Sequence, residues 1–475
     1  MKVVKNYLYN MSYQILLLIA PLITVPYVSR VLGAQGVGIN DYTNAVVTFF
    51  LLIGQIGITT YGNREIAYHR DDKYKRSKIF WEIVMMQFTT ITISYSVFIV
   101  FVWNFSASYH LFFLVQSLLI IAGAFDISWY FMGLEDFRKT VARNMIVKLG
   151  SIFLVFLFIK QPSDVWKYIL ILSASQLMGN ITFWPYLIKS IQRVKISDLR
   201  PFSHLSPALL LFIPTITTQV YLVVNRIMLR FMDPTKTVAV GLFSQSDKII
   251  KLILAIVTAT GTVMLPHIAN RFAHGDVIGI RKSLYNSFDF VTALSVPMMF
   301  GISAIAEKFA PWFLGDQFTM SGKIMMLEAP VIVLIAWSNV TGTQYLMPVN
   351  RVKEYTMSVT VGAVVNIICN IFLIEVYGAK GAALSTTISE FAVTAFQIYC
   401  IRTTIRRRQL FGSVWKYLLS GAVMFVVVNR VNGMMNMSVV NLIVQIMIGF
   451  IIYTVGLVIT QAPILTQIMH FLKKD

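Results

Sequence analysis

Four basic residues stand inside two apolar stretches in the middle of the sequence. Arg226 and Arg230 are four positions apart, and Lys248 and Lys251 are three positions apart in the following stretch. On a helix, each spacing places both side chains on one face. Arginine binds anionic oxygens through paired hydrogen bonds, and lysine binds them as a point charge. We predict that Arg226, Lys248 and Lys251 bind an anionic group, and that Arg230 does not.

Each of these cations also has an explanation that involves no ligand. Asp247 stands four residues before Lys251, so the two can form an ion pair along one helix. Arg230 lies near the end of its stretch, from which a long side chain can extend to a polar interface. Arg30 ends the first apolar stretch and is a candidate gate, although anchoring at the membrane interface would also explain it.

Two acidic residues, Asp126 and Glu390, also lie within apolar stretches. An isolated carboxylate in hydrocarbon favours its protonated form, so such a residue can bind a proton, and intramembrane carboxylates commonly mark ion pathways. We therefore predict Asp126 and Glu390 as candidates for binding a coupling ion, H+ or Na+. At each position, pairing with a basic residue or hydrogen bonding to a neighbouring helix is the alternative.

Enzymatic and metal chemistry find little support in the sequence. The two cysteines, Cys369 and Cys400, lie inside apolar stretches without metal-ligand spacing, and we interpret both as small apolar residues. HExxH, GxSxG and glycine-rich phosphate-binding motifs are absent from the sequence. We predict no catalytic residue, no metal site and no cofactor other than a coupling ion.

The elements that must position these residues are membrane helices. Hydrophobic residues make up 57% of the chain, charged residues only 13%, and the mean hydropathy is +0.70, which excludes a large water-soluble domain. About fourteen apolar stretches are long enough to span a bilayer. They lie near residues 11–30, 41–62, 80–103, 109–133, 141–159, 168–188, 205–229, 239–265, 284–306, 323–346, 355–375, 380–401, 414–430 and 438–461. The predicted class is an all-α polytopic membrane protein.

The distribution of basic residues predicts the orientation of these helices. With the N-terminus in the cytoplasm, cytoplasmic segments hold 28 of the 40 Lys and Arg residues, and outer loops hold nine. This bias predicts cytoplasmic N- and C-termini. It also explains the net charge of +19 without a nucleic-acid partner.

Weak internal similarity suggests a repeat. VGINDYTNAV from Val37 resembles VGLFSQSDKI from Val240, and WYFMGLEDFRKT from Trp129 aligns with QYLMPVNRVKEYT from Gln344. We predict two pseudo-symmetric six-helix lobes around a central cavity, which is typical of transporters. The lobes would cover residues 1–200 and 201–402, and two further helices and a short tail would occupy residues 403–475.

Several longer segments are similar to the Wzx-type polysaccharide flippases of the multidrug/oligosaccharidyl-lipid/polysaccharide exporter superfamily. They include RVLGAQGVGINDY from Arg30, FDISWYFMGLEDFR from Phe125 and FIPTITTQVYLVVNRIML from Phe212. The resemblance implies a fourteen-helix transporter in the bacterial cytoplasmic membrane. It would move undecaprenyl-pyrophosphate-linked repeat units to the outer leaflet by alternating access, for O-antigen, capsule or similar polysaccharides. Relatives often have an acidic residue beside a lysine where this chain has Asn225 and Arg226.

Under this resemblance the cations acquire a specific role. Arg226, Lys248, Lys251 and Arg30 would contact the pyrophosphate and the glycan in the cavity. The implied partners are the lipid-linked oligosaccharide, membrane lipids, and a polysaccharide polymerase with its chain-length regulator. Three alternatives remain. One is a multidrug exporter, which should favour acidic residues in its cavity, and another is a membrane-bound polymerase, which should have a large outer loop. The third is a structural scaffold.

Overall fold

A computed structural model describes residues 2–105, 107–188 and 190–472, with side chains omitted at 2–13, 107, 137–139, 142, 213–218, 220–222, 260–267 and 468–472. Every regular element in these ranges is helical, as predicted. In the first half the helices are α1 Lys2–Gln55, α2 Ile58–Tyr68, α3 Lys73–Phe105, α4 His110–Gln116, α5 Leu118–Ala124, α6 Ser128–Gly133, α7 Phe137–Phe158, α8 Val165–Ile181, α9 Trp184–Leu187 and α10 Leu205–Met232.

In the second half, the described residues form ten more α-helices and one π-helical segment. They are α11 Thr237–Ala273, α12 Val277–Leu314, α13 Thr319–Glu328, α14 Val331–Ser338, the π-helical segment Asn339–Leu346, α15 Val352–Tyr377, α16 Ala379–Ile401, α17 Arg407–Phe411, α18 Val414–Met434, α19 Val439–Ile459 and α20 Pro463–Leu472. Helices satisfy their own backbone hydrogen bonds, which a chain in hydrocarbon requires.

Seven helices of the described part are long and apolar enough to cross a membrane. The bent pair Asp316–Glu328 and Val331–Leu346, with an angle of 43°, would be an eighth span. These numbers follow from length and composition. The polytopic, all-helical class is therefore confirmed, while the count of fourteen and the positions of the termini stay predictions.

The first two predicted helices meet at a break within α1. Gly33 has non-helical backbone angles, with φ of 68° and ψ of 177°, which ordinary side chains rarely adopt. Arg30 lies three residues before this break. The predicted stretch 41–62 is also interrupted after Gln55, where Ile56 and Gly57 both have positive φ and α2 begins at Ile58.

The chain divides into two compact units, Met1–Ile227 and Met228–Asp475. The core of the first unit is an aromatic cluster in which Trp129, Tyr130 and Phe80 are fully buried, and the rings of Phe80 and Trp129 stack with centroids 5.6 Å apart. Gly62 gives this cluster room, since a Cβ there would lie 2.6 Å from the Trp129 ring. These aromatic side chains form core packing in the first unit. The lobe boundaries at residues 200 and 402 stay predictions.

The second unit contains two helices that pack at unusually short range. A Cβ at Gly381 of α16 would clash with the carbonyl oxygen of Leu373 in α15, and one at Gly362 of α15 would clash with Val393 of α16. Small residues at membrane helix interfaces permit this close approach. The short connection at Gly378, with φ of 57°, joins the two helices as an antiparallel pair.

Candidate functional site

The basic residues predicted to bind an anionic group lie on α10 and α11. Lys251 lies one turn after Asp247 on α11, and its Nζ is 2.7 Å from Asp247 Oδ1 and 2.8 Å from Oδ2. The Asp247 side chain is only 5% exposed, whereas that of Lys251 is 40% exposed. The intrahelical ion pair considered from the sequence is therefore present, with its ammonium on the accessible side.

The neighbouring cations are partly accessible as well. Lys248 is half-buried on α11, three residues before Lys251, so the structure brings these two lysines together. Arg226 is half-buried on α10 and belongs to the first compact unit, whereas both lysines belong to the second. A site shared by all three cations stays a prediction. Arg30 is exposed on α1.

Asp126 does not lie in a continuous helix, as its apolar stretch had suggested. It falls in the break between α5 and α6, where its Oδ1 accepts from the backbone N–H of Ser128 at 2.9 Å. The amide of Gln87 donates to the carbonyl oxygen of Asp126 at 3.0 Å and to that of Gly123 at 2.6 Å. These side chains satisfy backbone groups that the break leaves without helical partners. The carboxylate thus has a structural role, and its ion-coupling role stays a prediction.

Glu390 is buried in the middle of α16. Seven residues later on the same helix, Gln397 forms a buried hydrogen-bond chain: Thr341 donates to Gln397 Oε1 at 2.7 Å, and Gln397 Nε2 donates to Ser358 Oγ at 3.0 Å. Interhelical hydrogen bonding accounts for these polar residues without a ligand. A role for Glu390 in ion coupling stays a prediction.

Thr341 belongs to the π-helical segment Asn339–Leu346, which sequence analysis did not anticipate. Segments of this type are uncommon and often occur at functional sites. Gly342 lies at its closest packing point, because a Cβ there would be 2.8 Å from both Gln397 and Tyr355. The apolar run predicted only a helix, since the wider backbone turn depends on contacts with α15 and α16.

A second polar network, also missed from the sequence, lies in the first unit. Glu82 of α3 is 6% exposed, and its Oε2 is 2.9 Å from His204 Nε2. The other ring nitrogen of His204 is 2.7 Å from the hydroxyl of Tyr61 on α2. The backbone N–H of Arg200 donates to Glu82 Oε1 at 2.8 Å, and Lys78 Nζ lies 4.0 Å from that oxygen. The network holds the segment before α10 against α2 and α3.

A polar cluster also organises the loop between α7 and α8. Asp164 is bonded to Lys167 Nζ at 2.7 Å and accepts from the backbone N–H groups of Lys160 and Gln161 at 2.9 and 3.1 Å. These contacts, the one with Lys167 foremost, lower the pKa of Asp164 to about 2. The cluster includes a capping box between Gln161 and Asp164 at the short 3-10 helix Pro162–Asp164, which precedes α8. The Lys167 side chain therefore has a structural role beyond its contribution to topology.

Comparison with known proteins places the chain in a family. Residues 3–272 match the family described as "Polysaccharide biosynthesis protein". The "Putative O-antigen transporter" of Escherichia coli strain K12 is 24% identical over 401 residues, which cover 80% of this chain and 92% of that protein. These similarities relate the chain to transporters and not to enzymes.

Solved structures show the same fold. The lipid II flippase MurJ in an inward closed conformation superposes with a TM-score of 0.77 at 15% identity, covering 97% of this chain and 100% of that chain. An inward-facing multidrug resistance transporter of the MATE family, in the MOP superfamily, gives a TM-score of 0.60 at 11% identity, covering 82% and 98%. The chain is a multi-pass membrane protein with the MOP superfamily fold, and it belongs to the polysaccharide biosynthesis protein family.

Proposed function

We propose that this protein flips undecaprenyl-pyrophosphate-linked oligosaccharide repeat units from the cytoplasmic to the outer leaflet of the bacterial cytoplasmic membrane. The observation that carries the proposal is the family match over residues 3–272, which includes α10 and nearly all of α11 with their basic residues. Transport proceeds by alternating access, and the product supplies surface polysaccharide synthesis. The N- and C-termini lie in the cytoplasm, as the distribution of Lys and Arg indicates.

The geometry of α11 supports a role for Lys251 in binding the pyrophosphate. A lysine ammonium has three N–H donors. The Lys251 ammonium donates to Asp247 Oδ2 at 2.8 Å and lies 2.7 Å from Oδ1, and its side chain is 40% exposed, so a ligand oxygen can approach it. Asp247 holds the ammonium in one orientation, and Lys248 adds a second positive charge within one helical turn. Arg226 on α10 adds a planar donor suited to phosphate oxygens.

Deletion of the gene in its host tests the proposal, with the lipid-linked repeat unit quantified on each leaflet. We expect repeat units to accumulate on the cytoplasmic leaflet while surface polysaccharide disappears. Single units that reach the outer leaflet without polymerising would favour a polymerase. Unchanged pools would favour export of another substrate, such as the organic cations of a multidrug exporter.

Variants test the site within this function. Lys251→Arg should restore polysaccharide to the deletion strain, whereas Lys251→Gln and Arg226→Gln should not, at equal abundance in the membrane. Lys323→Gln is the matched control because Lys323 is an exposed lysine on α13. If all four variants restore polysaccharide equally, the basic residues do not bind the substrate. Separately, Glu390→Gln should abolish the pH or sodium dependence of transport into vesicles if Glu390 binds the coupling ion.

A further inference from the structure

A dense group of exposed cations lies where the segment between α16 and α18 meets α12. Arg406, Arg407 and Arg408 are exposed at the start of α17. Arg281 and Lys282 are exposed on α12. We call these five residues the basic patch.

Specific contacts hold the two parts of the basic patch together. The backbone N–H of Arg406 donates to the hydroxyl of Tyr285 at 3.0 Å, and Tyr285 lies one turn after Arg281 and Lys282 on α12. The ring of Phe411, at the end of α17, packs edge-on against Phe288 with centroids 5.3 Å apart. The arginines are therefore fixed beside α12 by an ordered connection.

Acidic residues do not balance the charge of the basic patch. The sequence contains no Asp or Glu from residue 391 to residue 474. Among the described side chains, no carboxylate forms an ion pair with any of the five cations. The other strongly basic segment, residues 64–78, differs because it contains Asp71 and Asp72 and because Arg70 pairs with Glu135 at 3.1 Å. The bias of basic residues toward cytoplasmic loops explains positive charge in both segments. Of the two, only the basic patch has no carboxylate partner among the described side chains.

Aromatic residues indicate the depth of the basic patch relative to a membrane. Arg402, at the end of α16, places its guanidinium 3.7 Å from the ring centroid of Tyr399, and Lys416 Nζ lies 5.9 Å from that of Trp415. Tyr399 and Trp415 are each more than half exposed. Exposed Tyr and Trp typically lie at the headgroup level of a bilayer. The three arginines of the basic patch lie between them in the sequence, and Arg406 bonds to Tyr285 beside Arg281 and Lys282, so the basic patch is near the phosphates.

We propose that the basic patch binds the headgroup phosphates of anionic phospholipids in the leaflet that it faces. An exposed, uncompensated set of guanidinium groups matches phosphodiesters, because each guanidinium can donate two parallel hydrogen bonds to phosphate oxygens. Near an anionic membrane surface each cation strengthens binding by about fivefold. Such lipids would anchor the connection between α16 and α18 at the membrane surface.

The test is a lipid titration of the purified full-length chain, followed by native mass spectrometry with phosphatidylglycerol and with phosphatidylcholine. The patch variant carries Arg406→Gln, Arg407→Gln and Arg408→Gln. The control variant carries Arg70→Gln, Lys73→Gln and Lys75→Gln, which removes the same charge from the other basic segment. We expect the patch variant to weaken phosphatidylglycerol binding at least tenfold, the control less than threefold, and neither to alter phosphatidylcholine binding.

A third variant, with Arg406→Lys, Arg407→Lys and Arg408→Lys, should retain most of the phosphatidylglycerol binding and thereby exclude misfolding as the cause of the loss. Equal losses in the patch and control variants would overturn the proposal, since general surface charge would then suffice. Unchanged phosphatidylglycerol binding in the patch variant would also overturn it. This readout involves no sugar-linked lipid, so its failure is distinguishable from failure of the flippase proposal.

Discussion

Replacing His204 with alanine should destabilise the first unit substantially. The change removes the ring that lies 2.9 Å from Glu82 and 2.7 Å from Tyr61, and it leaves a carboxylate that is 6% exposed. Leaving a buried polar group without one of its hydrogen-bond partners costs about 1 to 3 kcal/mol, and more when the group is charged. Because Arg200 N–H still donates to Glu82 and Lys78 stays 4.0 Å away, we expect about 3 kcal/mol.

A double-mutant cycle tests whether this cost comes from the contact with Glu82. Glu82→Gln keeps the length of the side chain and removes its charge. In the double variant, His204→Ala should cost about 2 kcal/mol less than in the wild-type background, since no buried charge is left behind. Tyr61→Phe should cost about 1 kcal/mol, as for one neutral hydrogen bond.

These free energies can be measured by reversible unfolding in mixed micelles. Dodecyl sulfate is the denaturant, and far-ultraviolet circular dichroism is the signal. His274→Ala is the control, because the His274 ring is exposed and its one bond among the described residues is to the carbonyl of Asn270, one turn earlier. We expect less than about 0.5 kcal/mol for it. Equal effects of His204→Ala and His274→Ala, or additive effects of His204→Ala and Glu82→Gln, would refute the network as a stabilising unit.

Three further changes have expected outcomes in the same unfolding assay. Lys308→Met should cost about 1 to 3 kcal/mol, since the Lys308 ammonium donates to three carbonyl oxygens at the end of α18, at 2.6 to 3.0 Å. Asp164 has a pKa of about 2 when folded and an ordinary value of 3.8, so its stabilisation is complete above about pH 4 and is lost as the pH falls toward 2. Asp164→Asn should remove that acid dependence. If the unfolding free energy of this variant falls with pH as steeply as that of the wild type, Asp164 is not its source. Gly381→Ala should cost more than about 2 kcal/mol, because the added Cβ meets the backbone of Leu373, and wild-type stability would disprove the close approach.

Apolar stretches bounded by local signals were predicted well. The predicted helix at 380–401 is observed as Ala379–Ile401, and that at 438–461 as Val439–Ile459. Hydrophobicity sets the length of such helices, and glycine or polar residues mark their ends. Interruptions within apolar stretches were not predicted, because their causes are distant in sequence. The break at Asp126, for example, depends on the amide of Gln87 in α3.

In the candidate site, too, contacts between residues close in sequence could be predicted and contacts between distant residues could not. The pair of Asp247 and Lys251 could be anticipated because its partners are four residues apart on one helix. Glu82 and His204 are 122 residues apart, and neither spacing nor composition connects them. A carboxylate at the start of an apolar stretch, as at Glu82, indicates that it needs a polar partner. It does not indicate which residue that partner is.

The observed pairing changes how the Lys251 variants should be interpreted. Lys251→Gln removes the proposed donor to the pyrophosphate and also removes the ammonium from Asp247, whose side chain is 5% exposed. Loss of transport in this variant alone would therefore fit either substrate binding or a local structural role. Adding Asp247→Asn removes the buried carboxylate charge that the first change leaves without its ammonium partner. Transport should recover in the double variant if Lys251 serves only its intrahelical partner, and stay lost if the lysine holds the pyrophosphate.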